Sequence, residues 1–199
     1  MQNKNNPGII NSDSEEVLSI SWNDLDEFDE MISSFGNEIA CFISSPYDHP
    51  TSKDSSLPKE GYWKHIEKKC SENNIVLIVD DVRTGFRIDL KGSHNVFGFS
   101  PDLVCLGKAM ANGYPISALV GKASLKDAAN KVYFSGTQFF NSAPMAASKA
   151  TLEKLQNLNA IEIMNTNGLK LKDDLSSAAE SFGLKIKVSV VPSLSLIHI

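Results

Sequence analysis

Short continuous apolar runs alternate along this chain with stretches in which apolar residues recur every three or four positions. Leu25, Phe28, Ile32 and Phe35 share one helical face. Asp24, Asp26 and Glu27 stand in its first turn, where the helix dipole favours carboxylates, and Gly36 is a natural stop. Ile39 to Ile43 is continuous and short enough for a buried strand. Trp63, Ile66 and Cys70 mark the inner face of a second helix, which Asn73-Asn74 breaks ahead of an apolar run from Ile75 to Val79. Leu103 to Leu106 and Ile116 to Val120 are further strand candidates. Strand, helix, strand at this spacing is a right-handed crossover unit, and it predicts α/β architecture: a central, mostly parallel sheet flanked by helices.

The remaining segments are less periodic. Residues 1–20 are polar, carry Pro7-Gly8 and read as a loose segment with one strand candidate at Val17-Leu18. Ser44 to Pro58 is a long loop, and loops of that length in compact domains are often functional. Ser124 can cap a short helix, and the turn Ser135-Gly136-Thr137 leads to a helix of small residues from Ala143. Beyond Asn159, the positions Ile161, Met164, Leu171, Leu175, Ala178 and Phe182 trace one helical face. Gly183 ends that helix before an alternating strand, Leu184 to Val190. The break near Leu158 predicts a boundary between a large domain, 21–157, and the start of a small C-terminal α/β domain, 158–193.

Composition narrows the function. With 199 residues and 42% hydrophobic content the chain can bury a real core. The net charge of −5 is unevenly spread. Residues 1–60 hold most of the imbalance, yet no basic cluster interleaves with aromatics, which argues against a nucleic-acid partner. No run is long enough to span a bilayer, and the N-terminus lacks the apolar stretch of a signal peptide, so the reading is a cytoplasmic protein without a membrane partner. Cys41, Cys70 and Cys105 are widely separated and lie in apolar or helical contexts, which reads as reduced core thiols.

The chemistry gathers at two strand ends. The run from Ile75 ends in Asp80-Asp81, and the run from Leu103 ends in Gly107-Lys108. If both are parallel strands, Asp80 and Lys108 emerge at one carboxyl edge, where open α/β folds bind ligands. An amine and a carboxylate held there suit pyridoxal 5′-phosphate: the amine forms a Schiff base, and the carboxylate keeps the pyridine nitrogen protonated. Each residue also has a plainer reading. A lysine after a buried strand often snorkels to the surface, and either aspartate could cap a turn. Paired aspartates suggest a divalent cation, but no third ligand stands at an obvious spacing. Gly136-Thr137 is either a tight turn or a place where a hydroxyl and backbone amides meet a phosphate. His49, His65, His94 and His198 show no metal spacing. A nucleotide-binding domain ranks last, since no Gly-x-Gly-x-x-Gly or Walker pattern is present.

Together the segments resemble a known family. Ile78-Val79-Asp80-Asp81-Val82-Arg83-Thr84-Gly85-Phe86-Arg87 is similar to the aspartate motif of class III aminotransferases, especially the branch containing glutamate-1-semialdehyde aminomutase. The run from Pro101 through Lys108 to Pro115 resembles the family's cofactor-lysine motif. Ser135-Gly136-Thr137 through Asn141, with Ala143 to Ala147, resembles its phosphate-contacting turn and following helix. The order and intervals match from about Ile20 to Val190. The resemblance implies the large domain of a fold type I pyridoxal-phosphate transferase, in part. It implies Asp80 against the pyridinium nitrogen, Val82 against a ring face, and Lys108 as Schiff-base lysine and proton carrier. Thr137 would hold the phosphate of a cofactor bound mainly by the partner subunit of a homodimer. The expected partners are a small-molecule amino donor and a carbonyl acceptor. Arg87 stays unassigned between a salt bridge and a substrate role.

Departures accompany the match. Ser45 stands where the family usually has a glutamate before the proline, and Asp81 replaces the usual glutamate after the key aspartate. Nothing before Ile20 resembles the Ser/Gly/Thr phosphate cup or the ring-stacking aromatic of the family. The closing residues 194–199 resemble a translated sequencing adapter rather than protein sequence. The sequence therefore reads as a fragment. An aminotransferase is the leading reading, an intramolecular aminomutase the alternative within the same chemistry, and a non-catalytic fragment unable to hold cofactor the alternative outside it.

Overall fold

The computed structural model describes residues 15–50, 54–188, 191–194 and 197–198. Its main sheet has the order β1 (Cys41–Ser44), β2 (Val76–Asp80), β3 (Leu103–Leu106), β4 (Ala118–Gly121). β1, β2 and β3 run parallel, and β4 returns antiparallel to β3. The mostly parallel sheet of the sequence reading is therefore present, with the last apolar run folded back as an antiparallel strand.

Helix α1 (Leu25–Phe35) begins where Asp24 Oδ1 accepts the Glu27 amide at 2.9 Å, while Glu27 Oε2 reaches back to the Ser21 amide at 2.6 Å. The first bond satisfies a donor that a helix start would otherwise leave orphaned, and the second ties the preceding segment to the first turn. Phe28 and Ile32 of α1 and Tyr62, Trp63, Ile66 and Cys70 of α2 (Tyr62–Glu72) pack onto the face of β2 that carries Leu77 and Val79. Trp63 stacks on Phe99, with ring centroids 4.3 Å apart and planes 7° off parallel, and its indole N–H donates to the Pro46 carbonyl at 2.9 Å. One side chain thus fastens the loop after β1 to the core, which bears on the site. Beyond β2 lie α3 (Ser93–Phe97), a 3-10 turn at Lys108–Ala111, and the short α4 (Lys126–Ala129).

The long helices α5 (Ser142–Asn157) and α6 (Ala160–Ser181) meet at Leu158–Asn159, the place of the expected domain boundary. β5 (Lys187–Val188) pairs with β6 (Ile197–His198).

Several expectations are corrected. Val17-Leu18 is an exposed, non-strand segment. β1 forms the edge of the described sheet rather than a buried strand, and Ile43 is 57% exposed. Only Cys70 is a core thiol: Cys41 is exposed and Cys105 half-buried. Ser124 makes no cap, since the helix of residues 126–129 starts after a 3-10 turn without a side-chain cap bond. The α6 stripe is rotated. Ile161, Met164 and Leu175 are half-buried, but Leu171, Ala178 and Phe182 are exposed, and the buried positions are Gly168 and Ala179. The reason is a backbone approach: the Pro192 carbonyl occupies the space where a Gly168 side chain would begin. Leu194, first residue of the suspected tail, packs with Tyr47 and Val191, while residues 189, 190, 195, 196 and 199 lie outside the described set.

Candidate active site

Asp80 ends β2, and its register partner across the parallel ladder is Cys105. Lys108 follows Cys105 by three residues, so both side chains start from the same carboxyl edge on neighbouring strands. This edge is where βαβ folds leave backbone ends and loops free to meet a ligand. Asp80 is half-buried, and its Oδ1 accepts the Val82 amide at 3.2 Å. No other hydrogen bond to this carboxylate is formed among the described residues, which leaves Oδ2 available. The same carboxylate reaches Cys105, whose thiol is raised above its usual pKa first by burial and then by that charge.

Lys108 is exposed and sits at a backbone φ of +41°, a left-handed conformation uncommon for a residue with a side chain. Such positions persist where the surroundings hold them, and they concentrate at functional sites. The turn it opens packs against α5. Its amine has no hydrogen-bond or ion-pair partner among the described residues. Val82 lies against the lysine's strand: a Cβ on Gly107 would stand 3.4 Å from Val82 Cγ1. Asp80, Val82 and Lys108 therefore all start from the carboxyl ends of the adjacent strands β2 and β3. Thr137 stands apart. It lies in the exposed stretch between Tyr133 and Asn141 that leads into α5, and its hydroxyl has no partner among the described residues.

Asp81, taken above as a departure, proves to be a structural centre. It is fully buried. Its Oδ1 accepts the Thr84 hydroxyl, and its Oδ2 accepts the Ser93 amide at 2.9 Å. Its carbonyl takes the Gly85 amide at 2.8 Å. One carboxylate thus closes the excursion 82–92 back onto the strand end and fixes where Val82, and with it the Asp80 carboxylate, sits. The sequence cue is the turn-capping capacity of an aspartate at a strand end, ahead of Thr84-Gly85.

A second feature had no motif to announce it. Arg83 Nη1 lies 2.8 Å from His49 Nδ1 and 2.9 Å from the His49 carbonyl. This cross-link joins the loop after β1 to the turn after β2, above the same sheet edge. Tyr47 is buried in that loop; desolvation raises its phenol pKa, and the charges of Arg83 and Arg87 oppose the rise. Arg87 makes no ion pair among the described residues, which removes the salt-bridge alternative within them. No group of His, Cys, Asp and Glu that could hold a metal occurs among the described residues.

Residues 6–189 match the family described as aminotransferase class-III. The chain belongs to this family. It is 34% identical over 180 residues to an aminopentol aminotransferase of Sphingopyxis macrogoltabida, an alignment covering 90% of this chain and 43% of the relative. It is 35% identical over 178 residues to a glutamate-1-semialdehyde 2,1-aminomutase of Legionella pneumophila, covering 88% and 41%. Among solved structures it superposes with a TM-score of 0.91 and 33% identity on the PLP internal aldimine form of the FumI protein of Sphingopyxis sp. MTA144, covering 96% of this chain and 46% of that one. The class III chain thus has the fold of fold type I PLP transaminases, and its family is PLP-dependent. It spans less than half the length of the relatives it matches.

Proposed function

We propose that this chain carries the lysine and aspartate of a PLP-dependent aminotransferase that passes an amino group from a donor to a carbonyl acceptor. The observation that supports this best is the placement of a Lys108 amine without a partner among the described residues and a half-free Asp80 carboxylate at adjacent parallel strand ends, with the Val82 amide bonded to that carboxylate. The residues fit the cofactor: an amine for its aldehyde, an acceptor for its ring N–H, and an apolar surface for a ring face. When bound, pyridoxal 5′-phosphate supplies an electron sink for negative charge at the substrate carbon. Lys108 would hold the cofactor through its amine and would carry the proton at that carbon. Asp80 would hold the ring nitrogen with its carboxylate and keep it protonated, while the Val82 amide orients that carboxylate through Oδ1. Thr137 serves the phosphate.

The exposed turn around Thr137, with Tyr133 at 91% and Phe140 at 82% exposure, fits a surface covered by a partner subunit in a homodimer. On this reading the 199-residue stretch holds cofactor poorly by itself, and residues from 158 onward begin a smaller domain. The likeness to aminomutases favours a second reading, in which the same residues move an amino group within one substrate.

Two experiments test the proposal. In a protein of the relatives' length, Asp80→Asn should retain cofactor yet lose turnover by about a hundredfold or more, because a neutral ring nitrogen is a poor electron sink. Unchanged turnover would remove Asp80 from the role. Product analysis with a single amino substrate and no acceptor separates the two reactions, since only an aminomutase turns over without a second substrate.

A further inference from the structure

Beyond the last rung of the β2–β3 ladder, no backbone bond holds the two site turns together. The Asp81 amide donates to the Cys105 carbonyl at 3.0 Å. After it, no hydrogen bond among the described residues joins the excursion 82–92 to the turn 107–113. The Lys108 amine has no polar partner among them either, so its direction follows from its backbone, which stands at a φ of +41°. The distance from that amine to the Asp80 carboxylate is therefore set by how side chains pack between the turns.

Two glycines make that packing close. A side chain on Gly85 would begin 2.9 Å from Leu106 Cδ2 and 2.8 Å from the Asp81 carbonyl oxygen, nearer than side-chain carbons come. Only glycine lets Leu106 settle against this turn. The Gly85 amide is bonded to that same carbonyl at 2.8 Å. Gly107, between Leu106 and Lys108, receives the opposite turn, with Val82 Cγ1 3.4 Å from where its Cβ would stand. Each strand end thus offers one glycine and one aliphatic side chain, and each aliphatic faces the other strand's glycine. Close packing transmits displacement, so moving Leu106 moves Lys108 relative to the turn that Asp81 anchors.

We propose that Leu106 is a positioning residue: seated on Gly85, it sets the spacing between the Lys108 amine and the Asp80 carboxylate. It acts through the backbone that carries the lysine two residues further on. The packing follows from the geometry of the two turns alone. Its consequence for the cofactor rests on the aminotransferase reading.

The test compares three variants in a protein of the relatives' length. Leu106→Ala removes the contact, Leu106→Met keeps its volume, and Ile66→Ala empties a core position on the sheet face opposite Asp80. Before cofactor is added, hydrogen exchange of the peptide spanning Asp81 to Phe86 should quicken about tenfold in Leu106→Ala, because the Gly85 amide loses its cover. It should stay near the wild-type rate in the other two. With pyridoxal 5′-phosphate, borohydride trapping at Lys108 should slow about tenfold or more in Leu106→Ala, since a displaced amine meets the aldehyde at the wrong distance. The pH midpoint of the bound cofactor's visible band should shift by about half a unit or more, as the charges around it change their spacing. Leu106→Met should keep both values, and Ile66→Ala should lower the denaturation midpoint without moving either. Wild-type trapping and band midpoint in Leu106→Ala, or equal changes in Ile66→Ala, would overturn the positioning role. Unchanged exchange in Leu106→Ala would overturn the packing itself. Failure of the wild type to take up pyridoxal 5′-phosphate at Lys108 would count instead against the aminotransferase reading, and the exchange result would still decide the packing.

Discussion

Two stretches of this chain, 20–111 and 112–186, are built differently. In the first, α1 and α2 close over one face of the sheet, and Phe28, Trp63, Ile66, Leu77 and Val79 are almost wholly removed from water. In the second, α5 and α6 are long and regular, but their buried residues are only Pro144, Ser148, Gly168 and Ala179, and large side chains such as Ile163, Leu171 and Phe182 remain exposed. The first stretch supplies its own core. The second has helices whose apolar positions find little cover within the described residues. Lys108 lies at the seam, two residues past a strand of the first stretch and in a turn that packs against a helix of the second. The contrast teaches that the position of the lysine and aspartate depends on the self-sufficient part, whereas the exposed turn at Thr137 depends on the part that is not.

The contrast can be broken or sharpened by measurement. The largest expected effect is in thiol labelling. Burial pushes the Cys70 thiol from the ordinary 9.0 up to about 12, which leaves roughly a thousandfold less thiolate at neutral pH even before access is considered. Cys41 is exposed. Iodoacetamide should therefore modify Cys41 readily and Cys70 only on unfolding, and labelling of both at one rate would show that the first stretch is open. Next in size, Trp63→Ala removes the stack on Phe99 and the bond to Pro46, and should destabilise the fold by about 3–5 kcal/mol in denaturant titration. Thr84→Val removes the hydroxyl donated to buried Asp81, and should cost about 1–3 kcal/mol. The smallest effect belongs to the second stretch. Leu171→Ala in the 199-residue chain should change stability by less than about 0.5 kcal/mol, since the side chain is 47% exposed. A loss comparable to that of Trp63→Ala would mean that α6 already has its packing partners.

How much of this was legible in the sequence follows from the same division. α2 and β2 were readable because Trp63, Ile66 and Cys70 repeat at helical spacing and Ile75 to Val79 is continuous, and both patterns are enforced by one nearby core. Asp80 and Lys108 were readable because each ends an apolar run, and strand ends fix side-chain position. The apolar pattern misplaces the buried face of α6 because the backbone near Pro192, not an apolar neighbour, selects which side is covered, and a glycine leaves no hydrophobic mark. The return of β4 as an antiparallel strand leaves no mark in its composition either. His49 could not be found from spacing, since its partner Arg83 is distant in sequence and the interaction is a matter of which nitrogen faces a guanidinium.

The central claim is that Lys108 is the residue that holds the cofactor. It is tested most directly by incubating a protein of the relatives' length with pyridoxal 5′-phosphate, reducing with borohydride and mapping the modified peptide by mass spectrometry. The account predicts a pyridoxyl group on the peptide containing Lys108, and its loss in Lys108→Ala together with a fall in turnover of about a thousandfold or more. A pyridoxyl group on another lysine, or unimpaired turnover in Lys108→Ala, would contradict it.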